Sequence, residues 1–543
     1  MDRQVSVLMA RRAIAGLAGA AGVALCLPGA AHAEAGRDAC LGLKSLATPS
    51  FRVDAAEMVA AGPAPAARPG VTPPVLPEHC LFRATVNPRP SGMDGMTYGV
   101  GFELRLPTAW NGRFLFQGGG VLDGVLNPAY GGVAGFKGAL ERGFAVVSTH
   151  GGHRGRSASD ARFGLDQQAR LDFAYQAVER TTHEAKALVV RYYGQAPQKA
   201  YFMGCSTGGR EAMMAAQRLP LEFDGVVSGH PTFNLTRIAV NQAWNTQVLT
   251  RIAPKDAQGR PILSKAFTPA QLKGVADAVV AECDAKDGLA DGMINDYRAC
   301  RFTPQRLICK SKSQAGACLS PAQADALEKV FGGARDSKGR SIYGTYPFDT
   351  GIAAPVWIPM HIGTSPTEAA NSADAILGQD TLRYYAMTPP DPGYDSKTFD
   401  FDRDLARTRQ TEAINDATAT YLGTFVARGG KMIVYHGLSD QGMSTSVLSD
   451  WYDQLTPAEG GGPQAWARLF LIPGMTHCGG GQATDRFDML TALQLWVEEG
   501  KAPDRVVATG AAFPGLSRPL CPYPKVARYA DGDVKDEKSF ACR

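Results

Sequence analysis

Between Ala200 and Arg218 a short apolar, strand-like segment runs into a turn of small residues, Gly204-Cys205-Ser206-Thr207-Gly208-Gly209, and then into a helix-forming segment from Glu211. A strand–turn–helix corner this sharp crowds its own backbone, and glycines at its flanks relieve the crowding. The pattern G-x-S-x-G puts a serine at the apex. A serine hydroxyl is a poor nucleophile at neutral pH without a positioned base, so the corner calls for partners elsewhere in the chain.

The flanking sequence predicts the setting of that corner. Gly99–Leu106, Gly112–Gln117, Phe144–Thr149, Ala200–Met203 and Gly225–Ser228 read as strands, and residues 168–193 carry apolar side chains at helical spacing. Strands alternating with helices at this spacing predict an α/β fold, a mostly parallel sheet with helices on both faces. The rhythm stops near His230 and returns near Asn415, with strands at Lys431–Tyr435 and Ala467–Ile472 and helices at Thr445–Leu455 and Phe487–Glu499. The chain therefore divides into a core at 34–230 and 416–543 and an inserted domain at 231–415. The Ala- and Pro-rich stretch Ala60–Leu76 reads as an irregular surface connection.

On such a sheet the base and its acid follow later strands, acid first. Asp440 follows Lys431–Tyr435, and His477 follows Ala467–Ile472. His477 is the expected proton acceptor for Ser206, and Asp440 the residue that holds its tautomer. A turn-capping role is the alternative for Asp440 and a loop histidine the alternative for His477. Cys205 precedes the serine and Cys478 follows the histidine, so a Ser206–His477 approach brings both cysteines within reach of a disulfide. The N–H of Thr207, at the helix start, and those of Gly119 and Gly120, in the run Gly118-Gly119-Gly120, are the expected donors to an oxyanion.

Residues 1–33 have the layout of an export signal: Arg11-Arg12, an apolar stretch Ala13–Pro28 too short to span a membrane, and Ala31-His32-Ala33 as a cleavage site. Their removal takes away three arginines and one aspartate, so the formal charge falls from +4 to +2. That charge is too small to argue for nucleic acid or an anionic membrane surface as a partner, and neither is expected. The mature chain is expected to be periplasmic or secreted, with no membrane attachment. Eleven cysteines are present and Cys26 leaves with the signal, so ten remain: Cys40, Cys80, Cys205, Cys283, Cys300, Cys309, Cys318, Cys478, Cys521 and Cys542. An even number in an exported chain predicts disulfides, with Cys309/Cys318 and Cys521/Cys542 close enough for local loops.

In the inserted stretch, Cys283-Asp284-Ala285-Lys286-Asp287-Gly288-Leu289-Ala290-Asp291-Gly292-Met293 sets three carboxylates among glycines. Asp284, Asp287 and Asp291 with the carbonyls of Leu289 and Met293 suit a hard cation such as calcium, although metal-free Asp-Gly turns look similar. Cys283 and Cys300 are placed to close that loop. Trp357 is either an aromatic wall for a substrate ring or a tryptophan of the insert's own core.

Taken together, Cys205-Ser206, Asp440 and His477-Cys478 resemble the constellation of the tannase/feruloyl esterase family of α/β-hydrolases. The likeness extends through Gly429-Gly430-Lys431-Met432-Ile433-Val434-Tyr435-His436-Gly437, Ala467–Cys478, Thr484-Asp485-Arg486-Phe487-Asp488 and Pro519-Leu520-Cys521-Pro522-Tyr523-Pro524. These phrases look especially like the bacterial branch that includes mono(2-hydroxyethyl) terephthalate hydrolases. The resemblance implies an α/β-hydrolase core with a large lid, a structural calcium in that lid, and the pairings Cys40–Cys80, Cys205–Cys478, Cys283–Cys300, Cys309–Cys318 and Cys521–Cys542. It implies a serine esterase for small aromatic acyl esters of the feruloyl or galloyl type, with no organic cofactor. Aromatic diacid monoesters are the alternative substrate, and a non-catalytic binding protein on the same fold the alternative of another class. In the terephthalate branch a lid arginine is associated with the substrate carboxylate; the matching stretch here, Trp357-Ile358-Pro359-Met360-His361-Ile362-Gly363, has none.

Overall fold

The computed structural model describes residues 36–66, 72–90, 97–311, 318–456 and 462–543; the export signal expected at 1–33 lies outside them. Its centre is a nine-stranded sheet of β1 (Phe51–Val59), β2 (His79–Pro90), β3 (Thr97–Pro107), β4 (Arg113–Gln117), β5 (Ala145–Thr149), β6 (Lys199–Cys205), β7 (Gly225–Gly229), β8 (Lys431–Gly437) and β9 (Ala467–Ile472). The spatial order is β1-β2-β3-β5-β4-β6-β7-β8-β9. Pairing is antiparallel from β1 to β5 and parallel from β5 to β9.

The parallel strands are apolar on both faces because helices cover both. Successive side chains alternate between two cores. Phe116, Phe202, Val226 and Val434 pack with α1 (Ala177–Tyr193), α2 (Thr207–Arg218) and α4 (Thr445–Asp453). Leu115, Tyr201, Val227, Ile433 and Phe470 pack with Leu490, Leu493 and Trp496 of α5 (Met489–Glu499). Because these strands are parallel, the ends of β6, β8 and β9 open on one edge of the sheet, where Ser206, Asp440 and His477 follow them.

Between Gly229 and Lys431 the described chain adds no strand to this sheet. It is largely helical, led by α3 (Leu235–Ile252), and holds a separate apolar core that includes Leu249, Phe267, Val275, Leu327 and Trp357. All five cysteine pairs implied by the resemblance are formed.

Some elements differ from the sequence reading. The helix after Ser206 starts at Thr207 rather than Glu211, with Gly208 and Gly209 inside it. Residues 167–193 are helical but pass through a π turn at Asp172–Gln176. The stretch Ala60–Leu76 is not wholly irregular, since Gly62–Pro63 pairs with Val75–Leu76. Strands β1 and β2 had no counterpart in the pattern. A bulge between Val53 and Ala55 and another between Val86 and Arg89 break their alternation.

Candidate active site

Strand β6 ends at Cys205, and Ser206 turns the chain with φ 63° and ψ −122°. A positive φ is costly for a residue with a Cβ and persists only where its surroundings enforce it. Here Ser206 N–H donates to Gly229 O (2.9 Å), and its carbonyl accepts from Arg210 and Thr232 N–H (3.0 and 3.2 Å). A Cβ on Gly204 would meet the Gly208 backbone at 2.6 Å, and one on Gly209 would meet Gly229 O at 2.3 Å. Close contact between strand and helix therefore requires the glycines of the motif. Six described non-glycine residues have positive φ, and five of them, Val121, Asp123, Ser206, His230 and Cys478, gather on this corner and the segments tied to it. That clustering marks a strained, built site.

Cys205 and Cys478 are joined, with their Cα atoms 6.0 Å apart, so the chain after β9 is fixed beside the serine turn. His477 is partly exposed, and its Nδ1 lies 2.8 Å from Asp440 Oδ2. Asp440 is buried at the turn after β8, and its Oδ1 accepts from Gly442 and Met443 N–H (3.0 and 3.1 Å). The carboxylate Oδ2 also faces Nδ1 of His230 at 2.7 Å, while His436 Nε2 lies 4.0 Å away.

These contacts set the charges. Burial opposes ionisation of Asp440, yet the neighbouring His477 and the hydrogen bonds from His230 and His477 hold it well below the usual carboxylate range. For His477, burial pulls the pKa down, but the Asp440 charge and hydrogen bond outweigh it and raise it. Burial lowers His230 and pushes His436 to about 3, so both are neutral. His230, His436 and Asp440 offer atoms within 4.8 Å of one another, a spacing a metal also accepts. However, His230 Nδ1 faces a carboxylate and His436 Nε2 faces the Met443 carbonyl at 3.2 Å. Both nitrogens therefore carry hydrogens, and the trio reads as a hydrogen-bond network.

The donors expected of the glycine run need correction. Gly119 N–H donates to Glu211 Oε2 and Gly120 N–H to Asp123 Oδ1, each at 2.9 Å. Glu211 and Asp123 are buried beneath the loop, and burial raises the pKa of both. Both glycine N–H groups are thus engaged from behind. Two others, those of Val121 and of Thr207 at the first turn of α2, have no hydrogen-bond acceptor among the described residues. Thr207 Oγ1 donates to the Val121 carbonyl and ties these two segments together.

Trp357 is 1 % exposed and stands edge-on to Phe267 in the core of the intervening segment. Of its two readings, the core tryptophan fits. With His361, Asp349 and Asp440 it lines a small cavity between that segment and the Asp440 turn.

In the acidic loop, Asp284 Oδ2 accepts from Gly292 N–H, Asp287 from Leu289 and Asn295, and Asp291 from Met293 N–H and Arg518. The three carboxylates do not converge to within 4.8 Å, and the Arg518 guanidinium lies 2.5 Å from Asp291. Asp284 Oδ1, however, is buried with no partner, and the donor set is all oxygen. An orphaned carboxylate oxygen in such a loop fits a hard cation.

His230, His436, Glu211, Asp123 and Val121 were not singled out from sequence. The one local hint is that His230 directly follows β7, on the edge of the sheet where the serine turn lies.

The sequence profile described as tannase and feruloyl esterase matches residues 88–543. The chain is 40% identical over 517 residues to mono(2-hydroxyethyl) terephthalate hydrolase of Piscinibacter sakaiensis, covering 86% of this chain and 85% of that protein. It is 30% identical to a probable feruloyl esterase B-2 of Aspergillus terreus, covering 82% and 83%. Among solved structures, feruloyl esterase B from Aspergillus oryzae superposes with a TM-score of 0.78 at 26% identity, over 94% of this chain and 100% of that one. With that profile, those relatives and this fold, the chain belongs to the tannase and feruloyl esterase family of carboxylic ester hydrolases.

Proposed function

We propose that this chain is an exported serine esterase that hydrolyses small aromatic acyl esters of the feruloyl or galloyl type through Ser206, His477 and Asp440. The observation that carries the reading is His477 Nδ1 at 2.8 Å from Asp440 Oδ2, on a loop held to the Ser206 turn by Cys205–Cys478. With Nδ1–H committed to Asp440, Nε2 of His477 is the free lone pair that takes the proton from Ser206 Oγ as it attacks the ester carbonyl. The Thr207 and Val121 N–H groups receive the oxyanion. His477 then protonates the leaving alcohol, and water, activated by the same imidazole, releases the acid from Ser206.

The segment between β7 and β8 acts as a lid over this edge. Asp284, Asp287 and Asp291, with the carbonyls of Leu289 and Met293, would hold calcium there. The ion would supply fixed positive charge that ties the loop and does no chemistry at Ser206. Export rests on the layout of residues 1–33 and agrees with five disulfides. No described helix is long and apolar enough to cross a membrane.

A second substrate reading, an aromatic diacid monoester such as mono(2-hydroxyethyl) terephthalate, is favoured by the 40% identity to a hydrolase of that name. The absence of arginine from Trp357–Gly363 counts against it. Ratios of kcat/KM for methyl ferulate, methyl gallate and the terephthalate monoester separate the two. A monoester value above both methyl esters would replace the first reading with the second.

A further inference from the structure

His230 has no part in the reaction described above, yet it is fully buried at the end of β7 with φ 40°, a conformation unfavourable for its side chain. Its backbone N–H is fixed to Tyr435 O at 2.8 Å. Its ring stands edge-on to Tyr435 and His477 and tilted against His436, with centroids 5.6, 5.5 and 4.9 Å away. One ring nitrogen, Nε2, is buried without a partner. An orphaned nitrogen and a strained backbone are both unfavourable, and the side-chain hydrogen bond that offsets them is Nδ1 to Asp440 Oδ2 at 2.7 Å. The same oxygen accepts from His477 Nδ1 at 2.8 Å.

We propose that His230 is a positioning residue for the esterase reaction: its Nδ1–H shares Asp440 Oδ2 with His477, orienting the carboxylate and setting how strongly it holds the His477 imidazole. The proposal rests on the reading of Ser206, His477 and Asp440 as a triad. A neutral donor on Oδ2 stabilises the carboxylate and draws electron density from the oxygen that pairs with His477. Its loss leaves Asp440 a stronger partner for the imidazolium, so His477 gains its proton at higher pH and the base is lost sooner on acidification. The other titratable groups facing the cluster are His436, pushed to about 3, Tyr435, pushed to about 12, and Tyr343 and Tyr346, raised by burial. Asp349, which accepts from Ser439 beside Asp440, is pushed up to about 6 by burial and remains in every variant.

Two substitutions separate the hydrogen bond from the backbone strain. Glycine accepts φ 40° but offers no donor, whereas asparagine tolerates positive φ and keeps an N–H near the place of Nδ1. Rates on p-nitrophenyl acetate across the acidic limb are to be compared for wild type, Ser206→Ala, His230→Gly and His230→Asn. His230→Gly is expected to lose about tenfold in kcat with KM little changed, the size of one hydrogen bond to a charged group. Its acidic limb should move to higher pH, and His230→Asn should restore both. If His230→Gly keeps the wild-type limb and kcat, or His230→Asn fails like glycine, the proposal is overturned while the triad reading stands. Equal activity in wild type and Ser206→Ala would instead remove the triad reading. Should the glycine variant not fold, proton spectra of histidine-labelled protein decide. Wild type should show strongly hydrogen-bonded imidazole N–H resonances from His230 and His477 on Asp440, beside that of His361 on Asp374 (2.7 Å), and His477→Ala should remove only its own. Loss of the His230 resonance as well in His477→Ala would contradict the shared carboxylate.

Discussion

Cys205 and Cys478, 273 residues apart in sequence, form a disulfide with a Cα–Cα distance of 6.0 Å; Ser206 follows the first and His477 precedes the second. The bond therefore fixes the loop that carries His477, the proposed base, to the turn that carries Ser206, the proposed nucleophile. The chain-entropy estimate for closing so long a loop is about 5 kcal/mol. Replacing both cysteines with alanine should lower unfolding free energy by up to that amount and cut kcat by more than it raises KM. Denaturant melts and steady-state rates check this. A double variant with wild-type kcat would mean the bridge does not align the site.

The charges at Asp440 predict a pH profile. His477 must be neutral to accept the Ser206 proton, and its pKa is raised above the ordinary 6.5 because Asp440 outweighs burial. The acidic limb of kcat/KM should therefore turn over above 6.5, with activity lost as pH falls through it. A limb well below that value would show that the charged Asp440 does not act on His477 in solution.

Gly208 tests the packing of the serine corner. A Cβ there would lie 2.9 Å from the Gly118 carbonyl carbon and Gly119 O, both backbone atoms. Gly208→Ala should cost about 1–3 kcal/mol through this clash. It should also lower kcat, because the displaced segment carries Val121. Thermal melts and rates on a small ester read both effects. An alanine variant with unchanged melting and rates would rule out the close contact.

Calcium should act on stability and not on chemistry. Chelation should lower the melting temperature, and Asp284→Asn should remove that sensitivity, with kcat of surviving enzyme nearly unchanged. If chelation leaves melting untouched, the acidic loop is a metal-free turn, as the Asp291–Arg518 ion pair already permits.

The parallel half of the sheet was readable because strands buried on both faces are continuous apolar runs. The strand-end positions of Ser206, Asp440 and His477 were readable because each follows one of those runs. Strands β1 and β2 were not, since bulges move their apolar residues from face to face. Of the expected oxyanion donors, Thr207 keeps an N–H without an acceptor among the described residues, whereas those of Gly119 and Gly120 are taken by Glu211 and Asp123. Glycines mark where backbone can approach, but the direction of an N–H depends on dihedrals such as φ 56° at Val121 and on carboxylates such as Glu211, 92 residues from Gly119. His230 meets Asp440 across 210 residues, and no spacing rule carries that information.

Covalent trapping is the direct test of Ser206 as the nucleophile. Incubation with an aryl phosphonate ester followed by peptide mapping should place a single phosphonyl group on Ser206, with labelling abolished in Ser206→Ala. Undiminished labelling in that variant, or no labelling of an esterolytically active wild type, would contradict Ser206 as the nucleophile.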